Sequence, residues 1–167
     1  MSATVRYEVR RARSRLELEW ALELRYDVFC VEQGVPEHEE LDGRDHEGIH
    51  LVAVELDDSG GADSGEAGGR AGARPEGDLL GTCRLLLVGK TVQLSRLAVR
   101  PSARRRGIAT ALLEAAETET RAAGGRRLVL HAQTYARALY DGAGYRTRGS
   151  AFREAGIEHI AMEKELG

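Results

Sequence analysis

The chain has 167 residues, of which 42% are hydrophobic and 31% charged. These proportions are ordinary for a globular protein, and the length predicts a single domain over residues 1–167 with a core of its own. The formal net charge of −3 excludes a general basic field for nucleic acid. No apolar run approaches the roughly 18 residues of a membrane span, and the N-terminal residues lack the apolar core of a signal peptide. We therefore expect a cytoplasmic protein without a membrane or nucleic-acid partner.

The cysteines and histidines give no sign of a disulfide or a metal site. Cys30 and Cys83 lie far apart and outside any C-x-x-C pattern, so both are predicted to be free thiols that pack as small apolar side chains. His46 and His50 have the H-x3-H spacing of some zinc sites. Because neither a thiolate nor an H-E-x-x-H pattern accompanies them, the sequence predicts no metal.

The first half of the chain predicts two strands separated by a helix and a loop. Thr4–Val9 alternates apolar and polar residues, which indicates a strand, and Leu16–Val31 has apolar residues at helical spacing. Glu32–Gly48 is polar and contains Pro36, so we expect an irregular loop there. A short strand is predicted at His50–Leu56.

Residues 57–78 differ in composition from the rest of the chain. They contain seven glycines together with serine, aspartate, alanine and proline. Such a segment buries too little apolar surface to order itself, so it predicts a flexible insertion between two strands. We assign it no function.

The second half predicts a β-hairpin followed by alternating helices and strands. Leu79–Val88 and Thr91–Val99 form the hairpin, and Pro101 ends its second strand because proline cannot donate to a ladder. The pattern predicts an α/β (α+β) fold with a mixed central sheet of six to seven strands flanked by about four helices. The remaining predicted elements are a helix at Ile108–Ala122, a strand at Arg127–Gln133, a helix at Tyr135–Ala143, a strand from Tyr145 onward and a strand at Ile157–Glu163.

A strand, a basic loop and a helix meet in the segment Leu97–Thr110. The first turn of a helix has unpaired N–H groups and a partial positive charge, which together favour a phosphate. Gly107 and Ala109 lack bulky side chains, so a phosphate can approach the backbone closely. The segment has neither the lysine of a Walker loop nor the three glycines of a dinucleotide fingerprint. It therefore predicts a different kind of phosphate loop around Arg104–Thr110.

Two motifs carry a resemblance to a known family. Arg104-Arg105-Arg106-Gly107-Ile108-Ala109 resembles the R/Q-x-x-G-x-G/A pyrophosphate motif of the GNAT superfamily. Ala136–Tyr145 resembles that family's A-x-x-hydrophobic-Tyr-x-x-x-Gly-Phe/Tyr element, with tyrosine in place of the usual phenylalanine. Arg25–Gln33, His131-Ala132-Gln133 and Gly156–Met162 are similar to the ElaA-like branch of the superfamily.

The resemblance implies an N-acetyltransferase with the GNAT fold. Its donor would be acetyl-CoA, and its acceptor a primary amine of a small molecule or peptide that attacks directly in a ternary complex, without a metal. GNAT proteins are often dimers, so a homodimer is compatible with the resemblance. Tyr140 is implied to protonate the departing CoA thiolate. The predicted cofactor-binding residues are Leu97, Ala98, Val99, Arg104, Arg105, Arg106, Gly107, Ile108, Ala109, Thr110 and Gln133.

The catalytic assignments have alternatives. A primary ammonium, with a pKa of about 10.4, must lose a proton before it attacks a thioester, so a general base is required. Glu32 is the predicted general base; the alternative is that Glu32 is a solvated carboxylate in the loop without a catalytic role. His131 is a second candidate base, with a packing role as its alternative, and Tyr140 has a packing role as its alternative too. The alternative function is a non-catalytic acyl-CoA-binding sensor with the same fold.

Overall fold

A computed structural model describes residues 6–56 and 78–167. The predicted insertion at 57–78 lies outside the described residues except for Asp78. A π-helical segment, Tyr26–Glu32, continues the first helix, and short 3₁₀ turns cover Asp45–Glu47, Pro101–Ala103 and Thr134–Ala136. The strands and α-helices are β1 (Tyr7–Arg11), α1 (Arg15–Arg25), α2 (Glu37–Glu40), β2 (Ile49–Glu55), β3 (Leu79–Val88), β4 (Thr91–Val99), α3 (Ile108–Ala122), β5 (Arg127–Gln133), α4 (Arg137–Gly142), β6 (Arg146–Glu154) and β7 (Ile157–Glu165).

The seven strands form one mixed sheet in the order β1-β2-β3-β4-β5-β7-β6. Neighbouring strands are antiparallel except for β4 and β5, which run parallel. Parallel neighbours need a crossover connection, and α3 supplies it. The predicted fold class, a mixed sheet of six to seven strands with about four helices, is confirmed.

The helices cover both faces of the sheet. Leu51 packs in the cluster that contains Leu112 of α3, whereas its neighbour Val52 packs in the cluster that contains Trp20 of α1. Successive residues of a strand point to opposite faces, so the two clusters lie on opposite sides of the sheet. Ser14 caps α1, since its hydroxyl accepts a hydrogen bond from the backbone N–H of Glu17 at 3.1 Å. None of the described helices is long and apolar enough to cross a membrane.

In the first half of the chain, the structure differs from the predicted secondary structure at three places. The helix predicted at Leu16–Val31 is α-helical only to Arg25 and then becomes π-helical. The stretch Glu32–Gly48, predicted as an irregular loop, contains α2 and a 3₁₀ turn. The first strand lies further along the chain than Thr4–Val9, because its ladder pairs Tyr7–Arg11 with β2. Tertiary contacts that periodicity does not show decide all three.

The parallel pair β4 and β5 separates part of the way along. Ladder pairs join Thr91–Leu94 to Arg127–Leu130, and beyond them the two strands, both within the described part of the chain, share no further pair. On the other side of β4, the register against β3 shifts between Thr82 and Arg84. The sheet therefore contains an internal gap, which we call the cleft, between the C-terminal halves of β4 and β5.

Candidate active site

A cavity of about 650 Å³ occupies the cleft. Its walls come from β4, β5, α4, the π-helical segment and the turn between β6 and β7. Many of the residues predicted from the sequence meet at this one cavity. Those that line it are Leu97, Ala98, Val99, Arg104, Ala109, Gln133 and Tyr140.

The loop between β4 and α3 has the backbone geometry of an anion site. Arg105 and Gly107 adopt positive φ values of 62° and 81°, which turn the chain sharply into the helix. A glycine suits this conformation because it has no Cβ. A Cβ added to Gly107 would meet only the Tyr7 hydroxyl, 4.0 Å away, so space beside the backbone is open. The N–H groups that begin the 15-residue α3 therefore face an accessible position.

The remaining residues of the loop divide into buried and exposed ones. The side chain of Ile108 is in the core and 1% exposed, so only its backbone can face a ligand. Arg105, Arg106 and Thr110 are exposed. Neither of these two arginines forms an ion pair within the described residues. Both side chains are therefore available to an anion beside the start of the helix.

Arg104 is paired with Glu32 at the edge of the cavity. The two terminal nitrogens of Arg104 donate to the two oxygens of Glu32, at 2.6 and 2.5 Å, and its Nε donates to the Val99 carbonyl at 3.1 Å. The hydrogen bonds from Arg104 lower the pKa of the Glu32 carboxyl, and those to Glu32 raise the pKa of Arg104. Both side chains are 40% exposed, so solvent and ligands can reach the pair.

Gln33, next to Glu32, links the same segment to the other side of the cleft. Its Oε1 accepts a hydrogen bond from Gln133 Nε2 at 2.8 Å, and its Nε2 donates to the Tyr135 hydroxyl at 3.1 Å. Arg104 follows β4, whereas Gln133 ends β5. Glu32 and Gln33 therefore bridge the two strands that separate, and we call these two residues the strap.

Tyr140 lies in the wall of the cavity and is 7% exposed. Its ring meets that of Tyr145 edge to face, with centroids 6.1 Å apart. Its hydroxyl has no hydrogen-bond partner within residues 6–56 and 78–167. Burial raises the pKa of Tyr140, so the side chain carries its proton at neutral pH and well above it.

Three polar side chains gather at the β5–β7–β6 side of the cavity: His131, Glu154 and His159. His131 Nδ1 lies 3.3 Å from a Glu154 carboxylate oxygen, and His159 Nε2 lies 3.9 Å from the same oxygen. Glu154 was not identified from the sequence, and His159 was placed only in the ElaA-like pattern. Three different strands supply the cluster, so only the strand register could have revealed it.

A buried ion-pair network lies beneath α2. Arg25 and Arg84 are 1% and 2% exposed, and they bind Glu40, Asp42 and Asp45 at distances of 2.6 to 3.0 Å. The hydrogen bond from Arg84 lowers the pKa of Asp42. A buried arginine without a partner is costly, so these carboxylates hold the segment after the π-helix in place.

The thiols and the remaining histidines do not form a further centre. Burial raises the pKa of Cys83 to about 12 and also raises the pKa of Cys30. His50 is bonded through Nε2 to the Asp45 carbonyl at 2.8 Å. In the described part of the chain, no group of three or more His, Cys, Asp or Glu side chains is arranged to hold a metal ion.

Known proteins resemble this chain in sequence and in fold. Residues 71–166 match the acetyltransferase (GNAT) domain family. A Bacillus subtilis protein named as a putative acetyltransferase is 29% identical over 160 residues, which span 94% of this chain and 95% of that protein. The crystal structure of an acyl-CoA N-acyltransferase from Pseudomonas aeruginosa is 27% identical, covers 96% of this chain and 99% of its own, and has a TM-score of 0.70. Escherichia coli ElaA, at 22% identity, covers 96% and 99% with a TM-score of 0.71 and has the same fold.

The cleft, the loop before α3 and these similarities define a class of protein, the acyltransferases that take their acyl group from an acyl-CoA. The chain belongs to the GNAT acetyltransferase family. The membership predicted from the two sequence motifs is confirmed, and the ElaA-like pattern has a counterpart in the shared fold of ElaA.

Proposed function

We propose that this protein is an N-acetyltransferase that transfers the acetyl group of acetyl-CoA to a primary amine by direct attack in a ternary complex. The observation that carries the proposal is the cleft: it joins an anion-binding loop at one end to the Tyr140 side chain in its wall. A donor whose phosphates bind at the loop can therefore extend along the cleft to the Tyr140 hydroxyl, which can donate a proton. A thioester and an amine held in such a cleft gain much of their rate from proximity.

The residues fit an acyl-CoA donor. The start of α3 and Arg104–Arg106 supply N–H groups and positive charge for a pyrophosphate. Leu97, Ala98 and Val99 line the cavity on β4, whose edge toward β5 is unpaired here while its other edge stays paired with β3, so part of the backbone of this stretch faces the donor's path. An N–H group in this stretch would stabilise the negative charge that develops on the thioester oxygen.

Tyr140 suits the role of general acid. The reaction forms a C–N bond and breaks the C–S bond, and the leaving thiolate needs a proton. Because burial raises its pKa, Tyr140 holds a proton across the physiological range, and its hydroxyl has no other partner among the described residues. The tyrosinate formed in the transfer recovers a proton from the nitrogen that has attacked.

The cysteines favour direct transfer over an acetyl-enzyme. A thiolate is the nucleophile in covalent catalysis by cysteine. Raised pKa values leave Cys83, at about 12, and Cys30 protonated near neutral pH. Neither side chain is therefore prepared to accept an acetyl group.

The proposal is tested by two measurements on the full chain. Calorimetric titration with acetyl-CoA reports binding, and a free-thiol assay with spermidine, L-lysine, benzylamine and a short peptide with a free α-amine reports transfer. We expect binding together with CoA release that depends on the amine, with intersecting initial-velocity lines that indicate a ternary complex. Binding without release for any amine would favour the sensor, and an absence of binding would overturn both functions.

A further inference from the structure

We infer that His131 is the general base of this enzyme and that Glu154 is the residue that positions it, at an acceptor end of the cleft built for a cationic amine. The inference rests on the proposed function, because it assigns roles within that reaction.

Strand register brings the acceptor-end side chains to one face. In the ladder between β5 and β7, Gln133 is opposite His159, and in the ladder between β6 and β7, Phe152 is opposite the same His159. His131 precedes Gln133 by two residues, so the side chains of His131 and Gln133 point to the same face. Glu154 follows Phe152 by two residues at the end of β6. The cluster is therefore part of the sheet itself, and this makes its geometry precise.

The environment of His131 prepares one ring nitrogen to accept a proton. Its Nδ1 faces the Glu154 carboxylate at 3.3 Å, so the neutral ring carries its proton on Nδ1 and leaves Nε2 with a free lone pair. The ring of Phe152 packs edge to face against it, with centroids 5.0 Å apart, and limits its rotation. The side chain is 42% exposed, so an acceptor can reach Nε2.

The other candidate bases are less suited to this role. His159 donates from Nδ1 to the Ile157 carbonyl at 2.7 Å and is buried, with 7% exposure, so it supports Glu154 from behind. Glu32 receives two hydrogen bonds from Arg104, and these lower its pKa, which makes a carboxylate a weaker base.

The charges around the acceptor end favour an ammonium group. His131 faces Glu154 and His159 from β6 and β7, and across the cavity lie Arg96 of β4 and Glu39 of α2, together with Glu40. Glu40 is engaged by Arg25 and Arg96. Arg96 donates to the main-chain carbonyl of Glu39 at 3.3 Å, but within the described residues the carboxylates of Glu39 and Glu154 form no ion pair with an arginine or lysine. Two carboxylates on opposite walls therefore attract a protonated amine into the cleft.

The proton balance of the reaction is complete with these groups. His131 Nε2 takes one proton from the ammonium, and the neutral amine attacks the thioester carbon. The C–S bond breaks and the thiolate takes the proton of Tyr140. Tyr140 then recovers a proton from the nitrogen that has attacked, which carries one proton more than the neutral amide until this step. The imidazolium then releases its proton to solvent, so the products are an acetamide, CoA and one proton.

The first test replaces His131 and uses the panel amine that releases CoA fastest from the wild-type protein. We expect H131Q to lower kcat/KM by about 100-fold or more and to lose the acidic limb of the pH profile, with an unchanged calorimetric Kd for acetyl-CoA. H46Q, a matched change of an exposed histidine outside the cavity, should leave all three values unchanged. A fall of less than about threefold with the acidic limb retained would overturn the role of His131.

The second test concerns Glu154. E154Q should lower kcat/KM by about tenfold, whereas E158Q on the same hairpin should leave it unchanged. Nitrogen NMR of the histidine side chains, which needs no turnover, should show His131 protonated on Nδ1 in the wild type and on a mixture of both nitrogens in E154Q. The same Nδ1 state in both proteins would overturn the positioning role.

The outcomes separate this inference from the proposed function. No CoA release by the wild-type protein with any amine would overturn both. Normal release by the wild type and by H131Q would overturn only the assignment of the base and leave the acetyltransferase intact.

Discussion

The guanidinium of Arg104 and the carboxylate of Glu32 form a two-point ion pair at the edge of the cleft, with contacts of 2.6 and 2.5 Å. The first residue belongs to the predicted pyrophosphate loop and the second to the strap, and they are 72 residues apart in sequence. An arginine that binds Glu32 in this way has fewer donors left for a phosphate. The pair therefore connects the strap to the affinity of the donor site.

The first prediction follows from this competition. E32Q should tighten the binding of acetyl-CoA by about two- to fivefold. In the wild type a phosphate that binds Arg104 must first displace Glu32, and an exposed ion pair of this kind contributes at most about 1 kcal/mol. The turnover number should change by less than about twofold. Calorimetric Kd and steady-state kcat for E32Q and wild type measure both effects.

Two results would contradict that expectation. A fall in kcat of about 100-fold with an unchanged Kd would make Glu32 the general base predicted from the sequence. A weaker Kd would mean that the strap assists donor binding instead of competing with it.

The second prediction concerns the general acid. Y140F should lower kcat by about 100-fold or more while the Kd of acetyl-CoA stays within about twofold. Y145F is the matched control, since its hydroxyl donates to Glu117 at 3.1 Å outside the cavity. That variant should lose about 1–3 kcal/mol of unfolding free energy and keep its kcat. Equal kcat values for Y140F and wild type would remove Tyr140 from the mechanism.

The raised pKa of Tyr140 adds a pH dependence to the same prediction. A raised pKa means that the protonated form persists above pH 10, the ordinary value for tyrosine. The kcat of the wild-type protein should therefore not decline through loss of the Tyr140 proton between pH 8 and about 10. A basic limb in this range that disappears in Y140F would show that burial does not protect the proton.

The third prediction separates backbone strain from ligand binding. Gly107 and Gly124, at opposite ends of α3, have φ values of 81° and 79°. Valine at either position should destabilise the fold by about 1–2 kcal/mol or more. Only G107V should also weaken acetyl-CoA binding, by at least about 100-fold, because its side chain occupies the space beside the phosphate position. Thermal unfolding and calorimetry distinguish the two effects, and equal affinity of the two variants would overturn the loop assignment.

The fourth prediction concerns acid stability. Arg84 lowers the pKa of Asp42 in the folded state, so the pair contributes stability above the unfolded-state value of about 3.9 and loses it as the pH falls. D42N should be less stable than wild type by about 1.5–3 kcal/mol at pH 7, and its unfolding free energy should fall less steeply below pH 5. The exposed Asp27 provides the control D27N, which should follow the wild type. Parallel curves for D42N and wild type in urea titrations would contradict this role.

The parts of the structure that could be predicted from the sequence are those determined by residues close together in the chain. Gly107 and its flanking residues specify a turn and a helix start in one contiguous stretch, and the order of strands and helices follows from hydrophobic spacing. The end of α1 could not be predicted, because the transition to the π-helix and the fold of α2 depend on the partners of Arg25, one of which is 20 residues away.

At the active site, too, only residues that lie in short sequence patterns could be predicted. Tyr140 and Gln133 were identified because each lies in a short pattern. The relation of His131 to Glu154 exists only after β5, β7 and β6 pair in an order that differs from their order in the chain. The ion pair between Glu32 and Arg104 likewise could not be predicted from the sequence, because the two residues are 72 positions apart.

The separation of β4 from β5 also creates two unpaired strand edges in the interior of the sheet. An unpaired strand edge is where one β-protein adds a strand from another and begins to aggregate. Here the unpaired edges of β4 and β5 lie inside the sheet, enclosed by α4, the β6–β7 turn and the strap. The fold therefore keeps these two unpaired edges away from the rim of the sheet, where an edge invites pairing with another chain.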